Sequence, residues 1–318
     1  AAALASLLAA APLEVLVLHL GATAPATVVL GGVCCAKGLL SLGLTVASRR
    51  GERVEWECDV DLLGQLPRLA EYSLVVPCVM GVMLVGIGGA DPVPVQQIHW
   101  NLAQCLLPVD QLTQSLTRFH ALRCLDLSLP HSFRDPEIAA LAAALPRLAA
   151  LTAVALVCPV QDCAGDATVA GVVEALAGLM GLYSLRMVFP RCVLGRRGLE
   201  SWAALLGGPA KLGEVEMTFL ASGASDWAVF SVALARMQTI RKLGINLEAD
   251  LPAAAAGALA TAAASLPVLQ ELTLELPQSC LPTELGADSC QEAPRMVGSS
   301  VTRFSCQLAK SCASPWAC

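Results

Sequence analysis

The stretch Leu266-Pro267-Val268-Leu269-Gln270-Glu271-Leu272-Thr273-Leu274-Glu275-Leu276 decides how this chain is read. Leu269, Leu272, Leu274 and Leu276 make the phrase L-x-x-L-x-L-x-L, whose period of two belongs to a short strand with one apolar face. Just upstream, Asp250, Pro252 and an alanine-rich run to Ser265 have the character of a helix. A strand phrase fed by a helix becomes informative when it recurs, because self-similarity at a fixed period marks a repeat architecture.

It does recur. Copies stand at Leu13-Leu16-Leu18-Leu20, Leu39-Leu42-Leu44-Val46, Leu69-Tyr72-Leu74-Val76 and Leu122-Leu125-Leu127-Leu129. Others follow at Leu182-Leu185-Met187-Phe189, Leu212-Val215-Met217-Phe219, Ile240-Leu243-Ile245-Leu247 and a weak Val301-Phe304-Cys306-Leu308. The fifth copy has two registers, Leu151-Val154-Leu156 or Leu148-Leu151-Ala153, and the choice decides which residues face outward. From Leu122 onward successive starts lie 29, 31, 30, 28, 29 and 32 residues apart. Between strands the pattern turns helical. Asp135-Pro136-Glu137 supplies an N-cap, a proline at the first helical position and an early acid before Ile138, Leu141 and Leu145. Ser225 or Asp226 likewise precedes Trp227, Phe230 and Leu234. Neither strand nor helix can bury its apolar side alone, so the units stack.

These phrases resemble leucine-rich repeats of the ribonuclease-inhibitor-like class, which includes the repeat domains of F-box proteins. The resemblance implies an α/β solenoid of about ten repeats of roughly 29 residues, a curved horseshoe with parallel strands on the concave face and helices on the convex face. It covers 1–308, with an irregular insertion or degenerate repeat at 77–109 and a tail at 309–318. Within that insertion, Gln96 to Leu107 reads as a helix and Met80 to Gly89 as an apolar, glycine-rich docking element. The family places Asn or Cys three residues after the third apolar position of the phrase. Here those places hold residues such as Gly21, Pro77, Pro130, Pro190 and Pro277. Cys78, Cys163, Cys192 and Cys280 lie just beyond and are expected to form a substitute row of buried thiols.

Composition narrows the function classes. The chain is 318 residues, 56% hydrophobic, 14% charged and only 4% aromatic, with a mean hydropathy of +0.64. Its apolar mass is therefore Ala, Leu and Val. A net charge of −6 weighs against nucleic acid, whose binders gather Lys and Arg against phosphates. Fourteen cysteines include no C-x-x-C pair, and the four histidines add no zinc-like spacing. They read as reduced, buried thiols of an intracellular protein, with Cys306, Cys312 and Cys318 the place for an exception. The first residues, Ala-Ala-Ala-Leu, read as a processed or incomplete start. Tyr72 to Ala90 runs 19 residues without a charge, yet Pro77 interrupts it, so a membrane-associated assembly through 72–90 is retained and a spanning helix is not.

No catalytic motif is present. Gly86-Ile87-Gly88-Gly89-Ala90-Asp91 lacks the third glycine of a dinucleotide fingerprint, and Pro92 and Pro94 forbid the helix that should follow. No cofactor or metal is expected, and the chain is read as not an enzyme. With leucines turned inward, the intervening residues face outward. They are Glu14, His19, Glu71, Arg123, Asp126, Tyr183, Arg186, Glu214, Glu216, Arg241, Lys242, Asn246, Glu271, Glu275 and Arg303. Their mixed signs form a protein-binding face rather than a nucleic-acid groove. The expected function is a protein–protein interaction scaffold, a structural or accessory subunit of a multi-subunit complex. The alternatives are a substrate-recognition subunit of a ubiquitin ligase, or an enzyme inhibitor or GTPase regulator of horseshoe shape.

Overall fold

Alternation of apolar and polar residues gives a strand one dry face, and a second layer must cover it. The computed structural model shows this. It describes residues 13–21, 26–47, 55–76, 80–85, 93–158, 165–209, 211–221, 224–247, 253–277 and 303–309. The chain divides into two compact units, Ala1–Pro159 and Val160–Cys318. Each is an α/β solenoid of leucine-rich strand units, with a parallel sheet on one side and a second layer behind it.

In the first unit the sheet order is β1 (Val15–Gly21), β2 (Ser41–Ala47), β4 (Glu71–Val75), β6 (Gln97–Asn101), β8 (Cys124–Ser128) and β9 (Ala153–Val157). All pairings between these neighbours are parallel, and the phrases align: Leu16 pairs with Leu42, Leu42 with Tyr72, Tyr72 with Ile98, Ile98 with Leu125 and Leu125 with Val154. The last pairing settles the fifth copy as Leu151-Val154-Leu156, with Ala153, Ala155 and Val157 on the open face.

The second layer is mixed. Helices α1 (Ala26–Val33), α2 (Val60–Gly64), α3 (Val109–Thr117) and α4 (Asp135–Ala144) alternate with a small parallel sheet of β3 (Glu55–Asp59), β5 (Met80–Val85) and β7 (Cys105–Leu106). Helix α4 begins with Arg134 in the N-cap place, where the Glu137 carboxylate accepts the Arg134 backbone N–H at 2.9 Å.

Within 77–109 one expectation and the structure differ. Residues Gln97–Asn101 form a strand of the main sheet, not the helix expected over Gln96 to Leu107. Val95, Ile98, Trp100 and Leu102 are all buried, so the phrase is present with valine, isoleucine and tryptophan in place of leucine. Gln97, His99 and Asn101 alternate with them, which is the period of a strand. Met80–Val85 is itself a strand, paired with Glu55–Asp59 and Cys105–Leu106. No helix among the described residues is long and apolar enough to cross a membrane.

The second unit is more regular. Its strands run β10 (Ser184–Leu194), β11 (Glu214–Ala221), β12 (Lys242–Leu247), β13 (Glu271–Pro277) and β14 (Arg303–Ala309), all parallel. Behind them lie α5 (Asp166–Ala177), α6 (Arg196–Gly207), α7 (Ala224–Ala235) and α8 (Ala253–Ala264), each packed on the next. The ladder between β10 and β11 shifts register between Val188 and Val193, around Pro190, which has no N–H to donate. Leu185, Met187, Val215, Met217, Leu243 and Ile245 point inward and are buried. Trp227, Phe230 and Leu234 form the expected apolar stripe of α7, fully buried.

Of the cysteine row, Cys192 is buried, while Cys78, Cys163 and Cys280 lie outside the described residues. Cys34, Cys105, Cys158 and Cys192 are buried, and Cys35 is exposed. Burial pushes the Cys105 thiol up to about 12, far from the thiolate that reacts with electrophiles. At pH 8 in the native protein, maleimide should therefore label Cys35 at least tenfold faster than Cys105, read by peptide mass spectrometry. Equal rates would mean that the repeat interior opens freely.

Candidate functional site

The open face of each sheet is built by the residues that alternate with the buried ones. In the first unit, one row across the strands reads Val17, Gly43, Ser73, His99, Asp126 and Ala155. His19 is exposed on β1 in register with Thr45. Glu14 and Arg123 are exposed just before their strands, in the positions whose carbonyls accept the first hydrogen bonds of the next strand.

His99 is the residue that sequence reading missed. Its Nδ1 lies 3.5 Å from Asp126 Oδ2 and its Nε2 3.9 Å from Glu71 Oε1, so it bridges two acids on either side. All three side chains are between 36% and 46% exposed. The signal was available in Gln97-Ile98-His99-Trp100-Asn101, whose alternation places His99 outward once the segment is taken as a strand. Cys124 joins this group, and a cysteine near a histidine and an aspartate invites a nucleophilic reading. The chemistry runs the other way. Burial raises the Cys124 pKa, and the Asp126 and Glu71 carboxylates raise it further, so the reactive thiolate is disfavoured. Both imidazole nitrogens face carboxylates. Among the described residues, no group of His, Cys, Asp and Glu is arranged to hold a metal ion.

In the second unit, one row reads Ser184, Glu214, Lys242, Glu271 and Arg303 by backbone register; the side chain of Arg303 lies outside the described ones. Glu214 accepts from Ser184 Oγ at 3.2 Å and pairs with Lys242 Nζ at 3.1 Å. Hydrogen bonding to Glu214 and its charge raise the Lys242 pKa, with Glu271 and Tyr183 adding to the effect. In the next row Arg186 Nε lies 3.0 Å from Glu216 Oε1. A third row brings Asn246 beside Glu275. The blocks of opposite sign are thus partly cross-strand pairs on the sheet.

Tyr183 and Arg241 stand just before their strands, like Glu14 and Arg123 in the first unit. The backbone N–H of Gly213 donates to Tyr183 O, and that of Arg241 to Gly213 O, which sets the three in line across adjacent strands. The Tyr183 ring lies over Gly213, where a Cβ would overlap it. Glycine is required there by that close approach. The sequence-derived residues thus form two separate sets, Glu14, His19, Glu71, Arg123 and Asp126 on the first unit and the remainder on the second.

No family model matches this chain, and no curated protein matches it. Solved structures do. The chain is similar to an internalin from Listeria monocytogenes, at 12% identity over 88% of this chain and 78% of that one, with a TM-score of 0.39. It is also similar to the Rad7 and Elc1 complex in yeast, at 15% identity over 88% of this chain and 72% of that one, again with a TM-score of 0.39. At such values the repeat fold rests on the strand register and buried leucines of this chain itself.

Proposed function

We propose that the chain is a non-catalytic protein–protein interaction scaffold, a structural or accessory subunit of a larger assembly. The observation that carries this reading is the second unit's open face. There Arg186, Glu214, Glu216, Lys242 and Glu275 stand on adjacent paired strands, half-exposed or exposed, above a largely apolar layer. A rigid sheet presenting both signs in fixed positions discriminates partners by charge pattern, and it sets the rate of encounter more than the final affinity. The Cys124 environment adds support, since burial and the neighbouring Asp126 and Glu71 carboxylates disfavour the reactive thiolate of this open-face cysteine.

Native purification from the source cells, followed by cross-linking and mass spectrometry, tests the proposal. The expected result is a stoichiometric protein complex, with cross-links on the open faces. Glu216→Lys combined with Glu275→Lys should slow association with the captured partner about tenfold at low salt, and less at high salt. A chain that elutes alone, monomeric and without stoichiometric partners, would refute the scaffold.

A further inference from the structure

The second unit has an exposed apolar spot beside an open cation, at the rim where the chain enters the strands. Among the described side chains Tyr183 is the one exposed aromatic, at 43%, and Met180, three residues earlier, is 65% exposed. Tyr183 is not loose. Its ring rests on Gly213, and its backbone carbonyl accepts the Gly213 N–H at 2.8 Å. One strand further along, Arg241 is exposed, and among the described residues no carboxylate lies within ion-pair reach of it. Strands spaced about 4.8 Å apart put Arg241 roughly 10 Å from Tyr183, with only the bare Gly213 backbone and the leaning ring between. Lys211 is a further exposed cation next to this rim. Of the two acids of the adjoining row, Glu214 is already engaged by Lys242 and Ser184, and Glu271 stands in register beside Lys242. The rim therefore joins an anchored aromatic, a methionine and an arginine, the residue types that dominate protein interfaces.

We propose that the rim of Met180, Tyr183, Gly213 and Arg241 docks an acidic segment of a partner protein, which sets an apolar side chain on the Tyr183–Met180 shelf and a carboxylate on Arg241. This rests on the scaffold reading and gives it a partner chemistry. The ring loses little freedom on binding because Gly213 already holds it, so its contact area is gained at low entropic cost. The guanidinium can take a carboxylate in a two-point contact that a lysine could not offer.

The test uses the full chain and a fluorescent peptide of repeated Glu-Glu-Leu, with Lys-Lys-Leu, Ser-Ser-Leu and Glu-Glu-Ser counterparts, followed by anisotropy at low salt. The Glu-Glu-Leu peptide should bind at least about tenfold tighter than the lysine and serine-leucine versions. Arg241→Glu should turn the preference toward the lysine peptide. Tyr183→Ala should weaken Glu-Glu-Leu binding by roughly tenfold or more. Gly213→Ala, which displaces the ring without changing charge, should abolish the advantage of Glu-Glu-Leu over Glu-Glu-Ser, and so covers the case in which Tyr183→Ala fails to fold. Equal binding of acidic and basic peptides, or an affinity indifferent to Arg241→Glu and Gly213→Ala, would overturn the rim. If the purified chain still brings a stoichiometric partner in that case, the scaffold stands and only the rim falls. A rim that selects the acidic peptide in a chain without any cellular partner sinks the scaffold instead.

Discussion

Trp100→Ala should lower the stability of the first unit by about 3–5 kcal/mol, the cost of emptying a large aromatic site in a packed core. Trp100 lies on the inner face of β6 with Tyr72 on one side and Phe119 on the other. The ring centroids are 6.1 and 6.0 Å apart in edge-on geometry. Each such pair adds about 0.5–1.5 kcal/mol to simple burial. Trp100→Phe should cost only about 1–2 kcal/mol, because it keeps an aromatic ring and the buried indole N–H it removes has no hydrogen-bond partner among the described residues. Urea unfolding followed by far-UV circular dichroism measures both. The pair of results separates a repeat from an appendage. If 77–109 merely decorated the array, Trp100→Ala would cost under about 1 kcal/mol and leave the midpoint nearly in place.

That experiment bears on why this segment was hard to read. In most other copies the phrase opens on leucine and the connection before it includes a helix, so the change from period two to a helical period marks the unit. Around Trp100 both signals fail. The core positions hold Val95, Ile98 and Trp100, and the second-layer connection before them includes the strand Met80–Val85. An apolar run of six residues can be strand or buried helix, and periodicity alone does not decide. The fifth copy was ambiguous for a related reason. Leu145, Leu148 and Leu151 are all buried, so leucine spacing by itself fits two registers, and only pairing with β8 separates them.

The outward residues were legible as a class, because alternation assigns them, but their partners were not. Glu71 and Asp126 are on different strands, two repeats apart in the ladder, and the histidine that joins them lies on β6, a strand whose sequence also fits a helix. The row through Tyr183, Gly213 and Arg241 was half visible. Tyr183 and Arg241 could be named from the phrase, whereas the importance of Gly213 lies in the space it leaves for the neighbouring ring, which no local pattern encodes.

Asp166→Ala should lower the stability of the second unit by about 2–4 kcal/mol, although Asp166 touches no site and lies in the first turn of its own helix. Its carboxylate reaches the next repeat. Oδ1 accepts the backbone N–H of Gly195 and of Gly198 at 2.8 Å, and Oδ2 accepts that of Arg197 at 3.0 Å. These are orphan donors at the start of α6, whose own N-cap residue, Gly195, has no side chain to satisfy them. A carboxylate there also meets the positive end of the helix dipole. The close fit leaves no room at Gly198, where a Cβ would stand 2.6 Å from Leu194 Cδ1 and against the Asp166 carboxylate. Asp166→Asn keeps one acceptor oxygen and gives up the charge, so about 1–2 kcal/mol is expected. The location of the damage is the sharper test. The cap belongs to the interface between successive repeats, so its loss should raise hydrogen exchange at Gly198 and along the first turn of α6 while α5 keeps its protection. Equal loss of protection in both helices would mean that Asp166 serves its own helix. A change within about 0.5 kcal/mol for Asp166→Ala would mean that water replaces the carboxylate, and that the repeats are coupled by side-chain packing alone.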